Sequence, residues 1–499
     1  MAGLKKINFN AISKITGMLL LIEGFFMLTS LIFSVWYNPV SSKNLLFFSP
    51  ANDFLPILAS GLFIGILGLI LWLSNDSLNQ NSIGKREGYI IVVFTWIIIS
   101  LFGALPYVLS GVTHSYTNAF FETMSGFTTT GSTIFSDIEA LPKGILFWRS
   151  MTHWIGGMGI IVLTLAVLPI LGIGGMQLFV AEVPGVTPDK LHPRITQTAK
   201  RLWMIYVALT LVQTLLLSLG GMSLFDALCH AFGTMATGGF STKNDSVAGF
   251  SPYIQYVIIL FMYLAGISFT LHYFILKKQF SKVFHNEELR HYTQILVVST
   301  IFIAITLIVV DHMPARESIR HSLFQVVSIV TTTGYITSDY LIWPFSTWML
   351  LFLLMFTGGC AGSTGGGIKI VRIILMFKNS LLELKRIVHP NAILPVRLNG
   401  KAISQQIIFN VLAFFLIYIL IFAFGSLIMS FLGLDFESAV GSVAASLGNI
   451  GPGLGVVGPV LNYGVLPDPA KWLLAFIMLL GRLELFTVLI LFSPSFWKK

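Results

Sequence analysis

Charge is what this sequence has least of. Asp, Glu, Lys and Arg make up 10% of its 499 residues, against about 25% in an ordinary globular domain, so a surface of the usual water-facing kind could cover only a small part of it. Mean hydropathy is +0.84 and 55% of the residues are hydrophobic, which makes a bilayer the solvent. The same scarcity excludes a disordered chain and a nucleic-acid binder, both of which need dense charge. Cysteine is nearly absent as well. Cys229 and Cys360 stand in apolar or glycine-rich surroundings, which excludes a disulfide-stapled domain and suits two small buried residues. No HExxH, paired CxxC or Gly-x-Ser-x-Gly constellation occurs, so catalysis has no support.

The charge that is present has a pattern. The net +9 comes from basic clusters at Lys5, Lys6 and Lys14; Lys85 and Arg86; Lys190, Arg194, Lys200 and Arg201; Lys277, Lys278, Lys282 and Arg290; Lys369 through Lys401; and Lys498 with Lys499. Apolar stretches long enough to cross about 30 Å of hydrocarbon fall near 17–36, 51–74, 88–111, 144–170, 199–219, 252–276, 292–311, 341–377 (interrupted), 403–433 and 468–492. The clusters recur after every second stretch. Under the positive-inside rule they are cytoplasmic, as are both termini. The first stretch is long enough to span and has no small-residue cleavage site, so it reads as a crossing and not as a signal peptide.

Between the third and fourth, fifth and sixth, seventh and eighth, and ninth and tenth stretches lie segments too short to cross and too apolar for a water-exposed loop. They are copies of one pattern: YTNAFFETMSGFTTTGST (116–133), FDALCHAFGTMATGGFST (225–242), IRHSLFQVVSIVTTTGYIT (319–337) and FESAVGSVAASLGNIGPG (436–453). Each reads as a short helix running into a Thr/Gly turn. Asn118, Asp226 and Glu437 are placed to cap three of the helices, and the third copy has Arg320 and His321 there. This internal repeat divides the chain into an N-terminal two-helix unit (1–87) and four pore repeats (88–195, 196–290, 291–401 and 402–499).

Non-helical backbone at membrane depth must be buried in protein or line a wet cavity. Four such loops around a pseudo-fourfold axis would aim their turn carbonyls at one point, where oxygens can replace the hydration shell of a cation. Glycine permits the required backbone conformations, and the C-terminal ends of the short helices add negative partial charge. The expected fold is an all-α polytopic membrane protein of four parallel helix, re-entrant loop, helix repeats with two extra N-terminal helices.

The turns TTTGS (128–132), ATGGFST (236–242), TTTGY (331–335) and NIGPG (449–453), with GGMGIIVLTLAVLPILGIGGMQL (156–178), resemble the Trk/Ktr/HKT superfamily of potassium transporters, on its bacterial TrkH/TrkG side. The resemblance covers nearly the whole chain, and the two extra N-terminal spans are similar to Trk rather than Ktr proteins. It implies one filter glycine per loop, at Gly131, Gly239, Gly334 and Gly451. The ion-binding set is then Thr129, Thr130, Gly131, Thr237, Gly238, Gly239, Thr332, Thr333, Gly334, Asn449, Ile450 and Gly451. Gly238 is a competing choice in the second loop; Gly239 aligns Thr237 to Phe240 with Thr332 to Tyr335. Gly131 implies potassium permeation, because sodium-preferring plant relatives carry serine there. Asn449 departs from the Thr-x-Gly form and puts strict fourfold symmetry in doubt.

The eighth stretch breaks at GGCAGSTGGG (358–367). Each glycine costs a helix roughly 1 kcal/mol relative to alanine, so this segment reads as unwound. Loose helix packing is the plain alternative. A P-loop fails because Ile368 separates Gly367 from Lys369. The resemblance implies an intramembrane gate at Gly358, Gly359, Gly362, Gly365, Gly366 and Gly367, together with Arg482, an arginine stranded in an apolar run. Mid-span arginine costs on the order of 2.5–3.5 kcal/mol on insertion scales and marks a pathway or a buried partner. Glu484 faces elsewhere on a helix. Asp226, Glu317 and Glu437 are candidates to focus cations, Glu23 and Glu122 to be buried and paired, and His230 to be a hydrogen-bonded interior residue.

The resemblance further implies transported K⁺ with no bound cofactor, an inner-membrane homodimer in contact with lipid, and a cytoplasmic TrkA-type ring binding NAD or ATP. A secondary transporter would need inverted repeats, and a membrane-embedded enzyme would need paired carboxylates or metal ligands; neither signature is found. A sodium-selective version is the nearest rival. Channel-like and H⁺- or Na⁺-coupled transport stay open.

Overall fold

The computed structural model describes residues 7–37, 52–74, 85–159, 195–392 and 394–498. Lys5, Lys6, Lys190, Arg194 and most of the 156–178 stretch lie outside the described residues. The described chain is mostly helical, as long apolar segments must be where only intrahelical bonds can satisfy the backbone.

Phe9–Thr29 and Phe54–Leu73 form an antiparallel pair. A Cβ added at Gly17 would stand 2.7 Å from the Gly68 carbonyl oxygen, and one at Gly68 equally close to that of Gly17. Gly24 abuts the Gly61 carbonyl in the same way. Glycines let two backbones approach closely, and close packing is what holds helices together where lipid is as apolar as leucine.

The same order then recurs four times. Lys85–Gly103, Tyr116–Phe127 and Lys143–Trp154 make the first repeat; Ile195–Leu219, Leu224–Met235 and Pro252–Ala265 with Phe269–Leu276 the second. Glu287–Val309, Ala315–Val330, Phe345–Leu354 and Ile370–Val388 make the third, and Gln405–Phe431, Phe436–Gly448 and Asp468–Arg482 the fourth. Apolar side chains are plentiful on the outside as well as in the core, unlike in a soluble protein. Gln405–Phe431 leaves Leu416, Phe424, Leu427 and Phe431 exposed, whereas Tyr116–Phe127 buries every residue from Ala119 to Phe127.

Several expectations are corrected. The 252–276 and 468–492 stretches are not straight crossings: the chain bends by 98° between Ala265 and Phe269 and by 110° between Arg482 and Phe486. At the first bend the Gly266 carbonyl leaves its helix and accepts the N–H of Cys360 at 2.9 Å; at the second, Glu484 and Leu485 adopt positive φ of 57° and 47°. The helix caps are Ser115, Ser223 and Asp435, whose side chains accept the N–H of Asn118, Asp226 and Ser438. Asn118, Asp226 and Glu437 sit inside the first turn, because the N-cap acceptor must precede the N–H it receives by two or three residues. The third helix starts at Ala315, ahead of the expected Ile319. A small hairpin, Arg397–Leu398 against Lys401–Ala402, turns on Asn399 and Gly400, both at positive φ, as a two-residue primed turn requires.

Gly68→Leu should lower the melting temperature of the full chain in detergent by an overpacking cost of about 1–3 kcal/mol. Gly65→Leu, where an added Cβ meets nothing within 4 Å, should leave it unchanged.

Candidate functional site

The four short helices end at equivalent turns. Thr129, Thr237, Thr332 and Asn449 have φ of 53°, 54°, 59° and 55°, a left-handed conformation that is a true outlier for β-branched threonine and costs of order 1–3 kcal/mol per residue. Two residues on, Gly131, Gly239, Gly334 and Gly451 have φ of 84°, 80°, 81° and 101°. The residue between them returns an N–H to its own helix: Thr130 to Ser125 (2.9 Å), Gly238 to Gly233 (2.8 Å), Thr333 to Ser328 (2.8 Å) and Ile450 to Ala445 (2.9 Å). Gly239, and not Gly238, has the conformation of the other three glycines.

These turns close on one another. A Cβ on Gly131 would overlap the Gly238 carbonyl oxygen, one on Gly239 that of Thr333, and one on Gly334 that of Ile450. On Gly451 it would stand 2.8 Å from that of Thr130. Each glycine is therefore the space that the neighbouring loop's carbonyl occupies, and the sequence of contacts runs through all four loops and returns to the first. A cavity of about 100 Å³ reaches Gly131, Gly239, Gly334 and Gly451 together. At its rim the Lys243 ammonium lies 3.1 Å from Glu139, and Asn244 donates to Asp137 at 3.0 Å. The hydrogen bonds from Lys243 and Asn244 hold the Glu139 and Asp137 carboxyls below their usual range. Their stabilising effect is thus present above the ordinary carboxylate pKa and is lost as pH falls through the lowered one.

The fourth loop breaks the symmetry. In loops one and three a hydroxyl pair, Thr128 with Thr130 and Thr331 with Thr333, closes at 2.8 Å. Asn449 instead sends its amide to Thr130 Oγ1 and to the Met478 carbonyl, both at 3.0 Å. It is a cross-link between two loops and an inner helix.

The glycine-rich segment is unwound, as expected, between Leu354 and Ile370. It lies directly against the ring. The Gly366 N–H donates to Thr332 Oγ1 at 2.7 Å, and Thr364 Oγ1 donates to the Met235 carbonyl at 3.0 Å. Arg482 donates to the carbonyls of Thr364 (2.8 Å), Gly157 (2.7 Å) and Gly156. Its polar partners include backbone oxygens from two other repeats, so the expected choice between a pathway and a carboxylate partner is too narrow. Glu484 pairs with Arg372. Glu288 Oε1 accepts the N–H of Ala361 (2.7 Å) and Val371 (3.2 Å) and so holds both ends of the segment; nothing in the sequence pattern marked it. Cys229 and Cys360 are free and buried. His230 is fully buried and bonded through both ring nitrogens. Glu122 is paired with Arg149, but Glu23, though buried, has no partner for either oxygen. No cluster of metal-ligating side chains occurs among the described residues.

Four re-entrant loops in one orientation, meeting through backbone carbonyls, define a polytopic membrane protein of the four-repeat pore-loop class. Comparison with known proteins places it within that class. Residues 56–499 match the TrkH family, described as cation transport protein, and the chain belongs to that family: it is a transporter and not an enzyme. It is 42% identical to the Trk system potassium uptake protein TrkH of Salmonella typhimurium, over 99% of this chain and all of that one. It is 39% identical to TrkG of Escherichia coli over 83% of this chain and 86% of that one. The crystal structure of the potassium transporter TrkH from Vibrio parahaemolyticus superposes with a TM-score of 0.86 at 37% identity, covering 98% of this chain and 100% of that one.

Thr332→Val should strand the buried Gly366 N–H and cost about 1–3 kcal/mol, seen as a lower melting temperature. Thr332→Ser, which keeps the acceptor, should restore most of it.

Proposed function

We propose that the protein takes up potassium across the inner membrane, with both termini in the cytoplasm. The observation that carries this reading is the closed ring of loop carbonyls, supported by the potassium transport named for relatives along the whole chain. An ion arriving from outside sheds water at the ring, where the carbonyls of Thr130, Gly238, Thr333 and Ile450 stand in for its hydration shell. The short helices add their negative C-terminal ends. Thr129, Gly131, Thr237, Gly239, Thr332, Gly334, Asn449 and Gly451 hold those carbonyls in place. Electroneutral oxygens suffice for this step, which fits a ring without a formal charge.

The segment 358–367 is the gate. It is held against the ring by Thr332 and to the first repeat through Arg482, whose charge raises the barrier to a cation until the segment moves. We assign the chain the repeat division 1–87, 88–195, 196–290, 291–401 and 402–499. A homodimer with one pore per subunit, regulated by a nucleotide-binding ring on the basic 369–401 face, completes the reading.

Expression in a potassium-uptake-deficient cell should restore growth at low external potassium; no growth with normal membrane insertion would refute uptake. Gly131→Ser places a Cβ on the Gly238 carbonyl and should lower the preference for potassium over sodium, read as a shifted reversal potential. Arg482→Ala should raise potassium flux through a normally folded protein, and a fall in flux would remove its gating role.

A further inference from the structure

The four seams between neighbouring loops are not braced alike. The third loop is tied to the second by the Tyr335 hydroxyl, which donates to the carbonyls of His230 (3.2 Å) and Phe240 (3.1 Å). Tyr340 ties the third to the fourth through the Gly453 carbonyl at 3.0 Å. Ser132 joins the first to the fourth at the Gly451 carbonyl (3.2 Å). These three hydroxyls, like the Asn449 amide on Thr130, are neutral. The seam between the first and second loops carries ion pairs: Lys243 with Glu139 at the exposed rim and a second one that is fully buried.

Arg149 Nε donates to Glu122 Oε1 at 2.6 Å, and both side chains are at most 2% exposed. Both members of the pair also hold atoms of the two loops. Glu122 Oε2 accepts the N–H of Ile134 at 2.8 Å, and Oε1 also accepts the Thr133 hydroxyl at 3.0 Å. Arg149 Nη1 donates to the Ser241 carbonyl at 2.9 Å, and its guanidinium lies 3.5 Å from the centre of the Phe240 ring. His153 stacks on that ring at 3.9 Å. The pair therefore holds the chain leaving the first loop through Glu122, at the Thr133 hydroxyl and the Ile134 N–H, and the chain leaving the second through Arg149, at the Ser241 carbonyl and the Phe240 ring. These contacts fall two and three residues beyond Gly131 and one and two beyond Gly239. Burying two charges is costly, and neutral packing often stabilises as well or better. What the pair supplies that a hydroxyl cannot is a stiff, two-ended, directional hold.

We propose that Glu122 and Arg149 are positioning residues for ion selectivity. They fix the distance between the first and second loops, and with it the placement of the Gly238 carbonyl against Gly131, while adding no net charge beside the ring. The proposal rests on reading the ring as the selective element. Discrimination between cations depends on the spacing or the field of the carbonyls, and both change when one seam slackens.

Arg149→Lys is the direct test. A lysine keeps the charge opposite Glu122, but a single ammonium has no fork and cannot hold Glu122, the Ser241 carbonyl and the Phe240 face together. The full-length variant, reconstituted in liposomes, should elute from gel filtration as the unmodified protein does while its potassium-over-sodium permeability ratio falls about threefold or more. If Arg149→Lys does not fold, the double variant Glu122→Gln/Arg149→Met removes the pair without stranding a charge and should show the same fall. An unchanged ratio in a folded variant, with Gly131→Ser lowering it in parallel, would overturn the positioning role and leave the ring reading intact. An unchanged ratio in Gly131→Ser as well would overturn the ring reading and this proposal with it.

Discussion

Peptide groups that are not hydrogen-bonded within a helix cannot face hydrocarbon, and most of this molecule is a response to that constraint. Four short helices stop at membrane depth, and each stop leaves a turn with carbonyls to place. The molecule places them against one another. Glycine at 131, 239, 334 and 451 is demanded twice, by positive φ and by the neighbouring carbonyl that fills the space of its absent side chain. The left-handed residues at 129, 237, 332 and 449 are the conformational cost of turning the chain so sharply. The apolar outer helices, with Leu416, Phe424 and Phe431 turned outward, shield this polar centre from lipid.

The same constraint explains why the unwound segment lies where it does. Its N–H groups and carbonyls need partners, and the ring, the fourth repeat and Glu288 supply them: Thr332 for Gly366, Arg482 for Thr364, Glu288 for Ala361 and Val371. Asn449 belongs to this asymmetry, since it joins Thr130 to the inner helix at Met478.

The repeat, the unwound stretch and the stranded arginine were legible in the sequence because each is written in local composition, and the ring glycines through the resemblance of the four turns to a known family. Gly239 was distinguishable from Gly238 by aligning one turn on another. The bends at 266–268 and 483–485 were not legible, since an apolar run reads alike whether straight or broken. The caps at Ser115, Ser223 and Asp435 were missed because several polar residues stood near each helix start and only geometry selects one. The partners of Arg482 were hidden for a different reason: they are carbonyls, which every residue has, and Gly156 is 326 positions away. Arg149 stood in an apolar helix without being marked, because its carboxylate partner lies on another helix.

In the proposed function, backbone carbonyls of four loops hold a dehydrated cation on a common axis. Crystals of the protein grown in rubidium or thallium salts test it most directly by anomalous diffraction. Peaks on the axis, bounded by the carbonyls of Thr130, Gly238, Thr333 and Ile450, are the expected result. Clear anomalous peaks elsewhere in the protein with none at this ring would contradict it.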